Sequence, residues 1–161
     1  MTHIARTSVG LPAVLQHWLG QPKPDVWSMV LPDRYATATD FAADMQEGYR
    51  HNSRSGQDLT SAAPGGWHPE WWVVAANYFA DPFFVDIREA AQGLPVYFAF
   101  HGAGKWMPLP VASGLAEFNT LLNEIRARQE DDAALREWLA QHTDIHGHEL
   151  WRELYQGLCE A

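Results

Sequence analysis

The sequence predicts an α+β fold, an antiparallel β-meander sheet packed with helices from the N- and C-terminal parts. Three observations carry the prediction. The β-rich runs are gathered in the centre of the chain, over 71–111. Their connections are short, whereas parallel pairing needs crossovers of a dozen or more residues. On either side, apolar residues recur at three- and four-residue steps, which is helical spacing. Elements segregated in this way indicate α+β. At 161 residues and 47% hydrophobic, the chain fits a single domain whose core needs no disulfide or metal.

Leu11, Val14, Leu15, Trp18 and Leu19 predict a first helix, stopped by Gly20 and Pro22-Lys23-Pro24. A second helix is expected to open at Leu31-Pro32-Asp33, with Tyr35, Ala38, Phe41, Ala42, Met45 and Tyr49 on one face and Gly48 as terminator. Residues 50–66 are small, polar and rich in Gly and Pro, and read as a long exposed loop. Strands are predicted over 71–78, 83–87, 95–101 and 105–111, joined by turns at Asp81-Pro82, Gln92-Gly93 and Gly102-Ala103-Gly104. Pro108 and Pro110 confine the fourth strand to an edge. Ser113 is placed to cap a helix whose face is Leu115, Phe118, Leu122 and Ile125. Glu130-Asp131-Asp132 suits the start of the next, with Leu135, Trp138 and Leu139. A last helix carries Leu150, Trp151, Leu154 and Leu158.

Motifs for chemistry are weak. Gly102-Ala103-Gly104-Lys105 fails as a phosphate loop, because position 99 is Ala and Trp106 follows the Lys. His142, Asp144, His146 and His148 have metal-like spacing. On a continuous helix His142 and His146 share a face while His148 points away, and Gly147 interrupts the segment; a polar inter-helix turn is the expectation. Asp81 and Asp86 would fall on opposite sheet faces, which does not suit a glycosidase-type pair. The single Cys159, near the end of an apolar helix face, reads as packing; it excludes an internal disulfide and a multi-cysteine metal site. No catalytic residues, no metal site and no cofactor are expected, and the chain is read as a non-enzyme. A metal-dependent or carboxylate hydrolase is the remaining enzymatic alternative.

The formal charge is −9, from 20 acidic and 11 basic side chains with only two lysines. Phosphate binding relies on clustered Lys and Arg, so nucleic acid is not an expected partner. No apolar run is long enough to span a membrane, and residues 1–10 contain no apolar stretch of signal-peptide length. A cytoplasmic location is expected. Eight tryptophans are a high load. Burial is the ordinary reading for Trp67, Trp71, Trp72 and Trp106; the sharper one is an exposed aromatic rim around the sheet.

Several segments resemble the SUKH superfamily. Leu31-Pro32-Asp33-Arg34-Tyr35 followed by Gly48 resembles its opening helix. Trp71-Trp72-Val73-Val74-Ala75, Asp81-Pro82 and Val85-Asp86 resemble its central hairpin. Gly93-Leu94-Pro95-Val96-Tyr97-Phe98-Ala99-Phe100-His101 resembles the next strand, closed by a His; Val111-Ala112-Ser113 with Leu115, Glu117 and Phe118 resembles the helix after the sheet. The resemblance covers about 30–127, so helices over 130–160 would be additions. Gly102 stands where the family has an acidic residue after the closing His. The resemblance implies a protein-binding module, foremost an immunity protein that neutralises a co-encoded bacterial toxin. A regulatory or scaffold protein on the same fold is the alternative. The acidity suits a basic toxin domain as partner. The expected partner surface is built from Trp67, His68, Glu70, Asp81, Asp86, Glu89 and Trp106, with aromatic anchors and acids that steer.

Overall fold

The computed structural model describes residues 10–160; of the expectation for residues 1–10, all but Gly10 lies outside them. The fold is α+β. Strands β4 (Trp71–Ala76), β5 (Pro82–Asp86), β6 (Val96–Phe98) and β7 (Leu109–Ala112) form an antiparallel meander. Strand β1 (Arg34–Tyr35) adds to the other side of β4, giving the order β1-β4-β5-β6-β7. The remaining strands, β2 (His51–Asn52) and β3 (Gln57–Asp58), make a separate hairpin. Helix α1 (Ala13–Gly20) precedes the sheet; α2 (Leu115–Arg128), α3 (Asp132–His142) and α4 (Glu149–Glu160) follow it.

Alternation along the strands sorts side chains onto two faces. One face carries Phe83, Val85, Val96 and Phe98, all fully buried. Helix α2 packs here through the expected Leu115, Phe118, Leu122 and Ile125, with the Phe118 ring 5.6 Å from Phe83. Helix α1 is tied to α2 by Trp18, whose indole donates to Asn119 at 2.9 Å. Helices α3 and α4 extend this layer with Leu135, Trp138 and Leu139, then Leu150, Trp151 and Leu154. As expected of a strand bearing Pro110, β7 is an edge.

Four local expectations are corrected. No α-helix forms over 33–49. Asp33 N–H donates to the Ala76 carbonyl and Ala36 N–H to that of Val74, so this backbone pairs with β4. A turn follows in which Thr37 and Asp40 cap each other's N–H, then a short 3-10 turn, Asp44–Gln46. Of the predicted face, Phe41 and Met45 are buried, whereas Ala38 is exposed; what overrode helicity is the bare edge of β4, which needs partners. This segment therefore departs from the opening helix that the SUKH resemblance implies. The 50–66 stretch is exposed over much of its length, but it contains the β2–β3 hairpin rather than a plain loop. Its end is anchored by Ser61 N–H on the Trp67 carbonyl. The β6–β7 connection, 99–108, is far longer than a tight turn. Finally, Gly114 rather than Ser113 begins α2. A Cβ at Gly114 would run into the Glu117 carboxylate and lie 3.0 Å from the Gly93 carbonyl oxygen. Asp131 does cap α3, accepting from Ala134 N–H at 3.1 Å.

Candidate protein-binding face

The second face of the sheet carries Trp71, Phe84 and Tyr97. The register pairs Trp71 with Asp86, Val73 with Phe84, and Phe84 with Tyr97, so these side chains project together, away from α2. Trp67 is their hub. Its ring lies 5.5 Å from Trp71, 4.8 Å from Phe84, 5.1 Å from Trp106 and 5.5 Å from Tyr49. Its indole N–H donates to the Trp71 carbonyl at 3.1 Å. Two loops bring in Trp67 and Trp106, and they touch: Trp106 N–H donates to the Gly65 carbonyl at 2.8 Å. Gly65 has a φ of 82°, and a Cβ there would come within 2.9 Å of the Lys105 Cβ. Glycine is thus required both by conformation and by space.

Beside this cluster is a depression of about 260 Å³. Trp71, Phe84 and Tyr97 line it, with Asp86, Arg88, Glu89 and Pro108. Arg88 donates to both Asp86 oxygens, at 3.0 and 2.7 Å. Burial opposes ionisation of Asp86, but the Arg88 hydrogen bonds outweigh it and hold the carboxyl below its usual range. The Asp86 hydrogen bond in turn raises Arg88, helped by the field of Glu70 and Glu89. Tyr97 donates to Glu89 at 2.9 Å. Burial, then this bond, pushes the phenol up to about 12. With Asp86 paired to Arg88, Glu89 is the further acid lining the depression, and Glu70 lies close enough for its field to reach both Arg88 and Arg50. His68 stands beside Trp71, its Nδ1 accepting from Glu70 N–H at 3.0 Å.

Six of the seven expected residues therefore gather around one face: Trp67, His68, Glu70, Asp86, Glu89 and Trp106. Their roles differ from expectation. Trp67 is 1% exposed and belongs to the core, because Tyr49, Trp71 and Trp106 cover it. Asp86 is buried and ion-paired, so it is not a free steering charge. Trp106 is only partly buried. Asp81 lies at the other end of β5, 6% exposed. Its carboxylate accepts from His101 N–H at 3.0 Å and lies 2.5 Å from the His101 ring, while Asn77 donates to it at 3.3 Å. It is an internal clip between the β4–β5 turn and the start of the β6–β7 connection. Sequence reasoning missed Tyr97 and Arg88. Both were accessible: Tyr97 shares the strand parity that places Phe84 and Trp71, and Arg88 falls two residues after a strand-ending Asp.

The histidine cluster is a polar turn, as expected. The His142 ring stacks on Trp138 at 4.5 Å, Asp144 accepts from Gly147 N–H, and the His148 ring meets the Pro110 carbonyl at 2.7 Å. Among the described residues no three His, Cys, Asp or Glu side chains are arranged to hold a metal. Cys159 is exposed, not packed, since it falls one position past Leu158 and off the apolar stripe of α4. Among the described residues no helix is long and apolar enough to cross a membrane.

Compared with protein-family models, with curated proteins and with solved structures, the chain has no match in any of the three.

Proposed function

We propose that this protein is a binding module of the immunity type, which blocks a toxin encoded beside it by covering a basic surface of that toxin. The observation that carries the reading is the depression on the second sheet face. It has an aromatic floor of Trp71 and Tyr97, Glu89 in its lining, and Glu70 close enough for its field to reach Arg88. Aromatic side chains supply desolvated anchors, and rim carboxylates speed encounter with a basic partner. The resemblance of 30–127 to SUKH sequences supports the same class, as does the charge of −9. The partner in this reading is a protein, contacted without cofactor.

The test is rescue. The product of each gene flanking this one is expressed alone and with this protein. One product should be toxic alone and harmless together, and rescue should weaken for Trp71→Ala. Absence of a toxic neighbour, or one that this protein neither binds nor neutralises, overturns the reading. Binding to a non-toxic neighbour would favour a regulatory or scaffold role instead.

A further inference from the structure

On the helical side of the molecule, a groove of about 270 Å³ runs between the 27–31 segment and helices α2, α3 and α4. Its floor is apolar: Leu31, Ile125, Leu135 and Leu154 are buried beneath it. Its wall carries two large apolar side chains left in water, Trp27 at 65% and Met29 at 54% exposure. That wall is held in place. Trp27 N–H donates to the Gln129 side chain at 2.8 Å, and the same amide donates to the Asp25 carbonyl at 3.3 Å. Further along, the Val30 carbonyl accepts from Asn77 at 3.2 Å. A pinned segment that presents Trp to solvent is preorganised for contact, which lowers the ordering cost of binding.

The opposite wall contains Gly157, within α4. Apart from the neighbouring residues and the backbone of α4 itself, no atom lies within 4 Å of a Cβ built there. Glycine weakens a helix by up to about 1 kcal/mol relative to Ala, and the fold itself does not need the space. Open room on the groove side is what the glycine provides.

Among the described residues, the charged side chains lining the groove are Asp132 and Glu153. We propose that this groove is a docking site for a partner protein that inserts an apolar side chain from a basic amphipathic helix. The size fits, because an apolar cavity of about 150 Å³ already admits benzene. The charge selects the occupant. A second copy packed groove against groove would set Asp132 and Glu153 against the same two acids. Lys or Arg flanking the inserted side chain would meet them favourably. The groove shares no residue with the sheet-face site, so the proposal stands or falls independently of the immunity reading.

The probe is a fluorescent amphipathic helical peptide of Leu and Lys, titrated against the full chain, with the same pattern in Leu and Glu as control. The Leu/Lys peptide should bind and the control should not. Gly157→Leu should fill the groove and weaken binding by about thirtyfold or more, the scale of a hot-spot truncation. Its melting temperature should rise by about 2–4 °C, as expected for removing a helical glycine. Trp27→Ala should weaken binding similarly without lowering the melting temperature. Equal affinity for wild type and both variants overturns the proposal, as does failure of the Leu/Lys peptide to bind. A dimer in solution that Gly157→Leu dissolves would overturn the choice of occupant.

Discussion

Gln46 has no exposure to solvent, yet it sits in the core of the sheet edge. Its amide accepts from Val73 N–H and donates to the carbonyls of Val73 and Phe41, each at 2.9 Å. It acts as a miniature strand where β4 bulges between Val73 and Ala75. Gln46→Met keeps the shape but orphans these backbone groups, and should cost roughly 2–4 kcal/mol in urea unfolding; a cost under about 1 kcal/mol would refute the assignment. Nothing in the sequence singled out Gln46, because a buried amide is specified by the backbone it meets, not by its neighbours in the chain. Asp86 makes a second prediction at this scale. Its folded pKa is depressed, so its contribution to stability is present above its unfolded value of about 3.9 and fades as pH falls through the lower folded one. Asp86→Asn keeps an acceptor for Arg88 N–H but loses the ion pair. The stability gap between the variant and wild type should therefore shrink between about pH 6 and pH 2.5. A constant gap in unfolding curves at the two pH values would contradict it.

At the scale of elements, periodicity was a faithful guide to burial and a poorer one to conformation. Leu115, Phe118, Leu122 and Ile125 were legible because a long helix repeats one face against one sheet. Phe41 and Met45 have equivalent spacing and are equally buried, but the backbone there serves the β4 edge. That edge is satisfied in turn by β1, by Gln46 and by Arg50, which donates to the Trp71 carbonyl at 2.8 Å while lying 3.7 Å over the Trp72 ring. Long-range pairing of this kind leaves no mark in a local window. Helix starts make a sharper comparison. Asp131→Ala should cost about 1 kcal/mol, because it removes the α3 cap. Ser113→Ala should stay within about 0.5 kcal/mol, because Gly114 is the cap residue of α2 and Ser113 is not. Thermal melts of the two variants side by side decide this, and a larger loss for Ser113→Ala would restore the capping role that the sequence suggested.

For the whole molecule, a charge of −9 is a statement about encounter more than about affinity. Three of the seven partner-face residues were readable because Trp67, His68 and Glu70 lead directly into β4, and a loop entering a strand end carries its residues to the sheet rim. The part played by Asp81, Asp86 and Glu89 depended on which acids are free, and only the fold decides that. Asp81 is consumed by Asn77 and His101, and Asp86 by Arg88, so the steering charges reduce to Glu70 and Glu89. Glu89→Gln keeps an acceptor for Tyr97, and Glu70 is bonded only through its backbone, so the double variant Glu70→Gln/Glu89→Gln should fold normally. If rescue identifies a toxin partner as proposed, this variant should associate with it more slowly and show a flatter salt dependence, while dissociation changes little. Screening over about 8 Å at physiological ionic strength sets the range of the effect. Trp71→Ala should do the reverse, speeding dissociation by about thirtyfold if it is a central anchor, with little change in the association rate. Rates measured at two salt concentrations separate the two behaviours. An association rate and salt slope unchanged in the double variant would remove this face from the encounter surface, whatever the affinity.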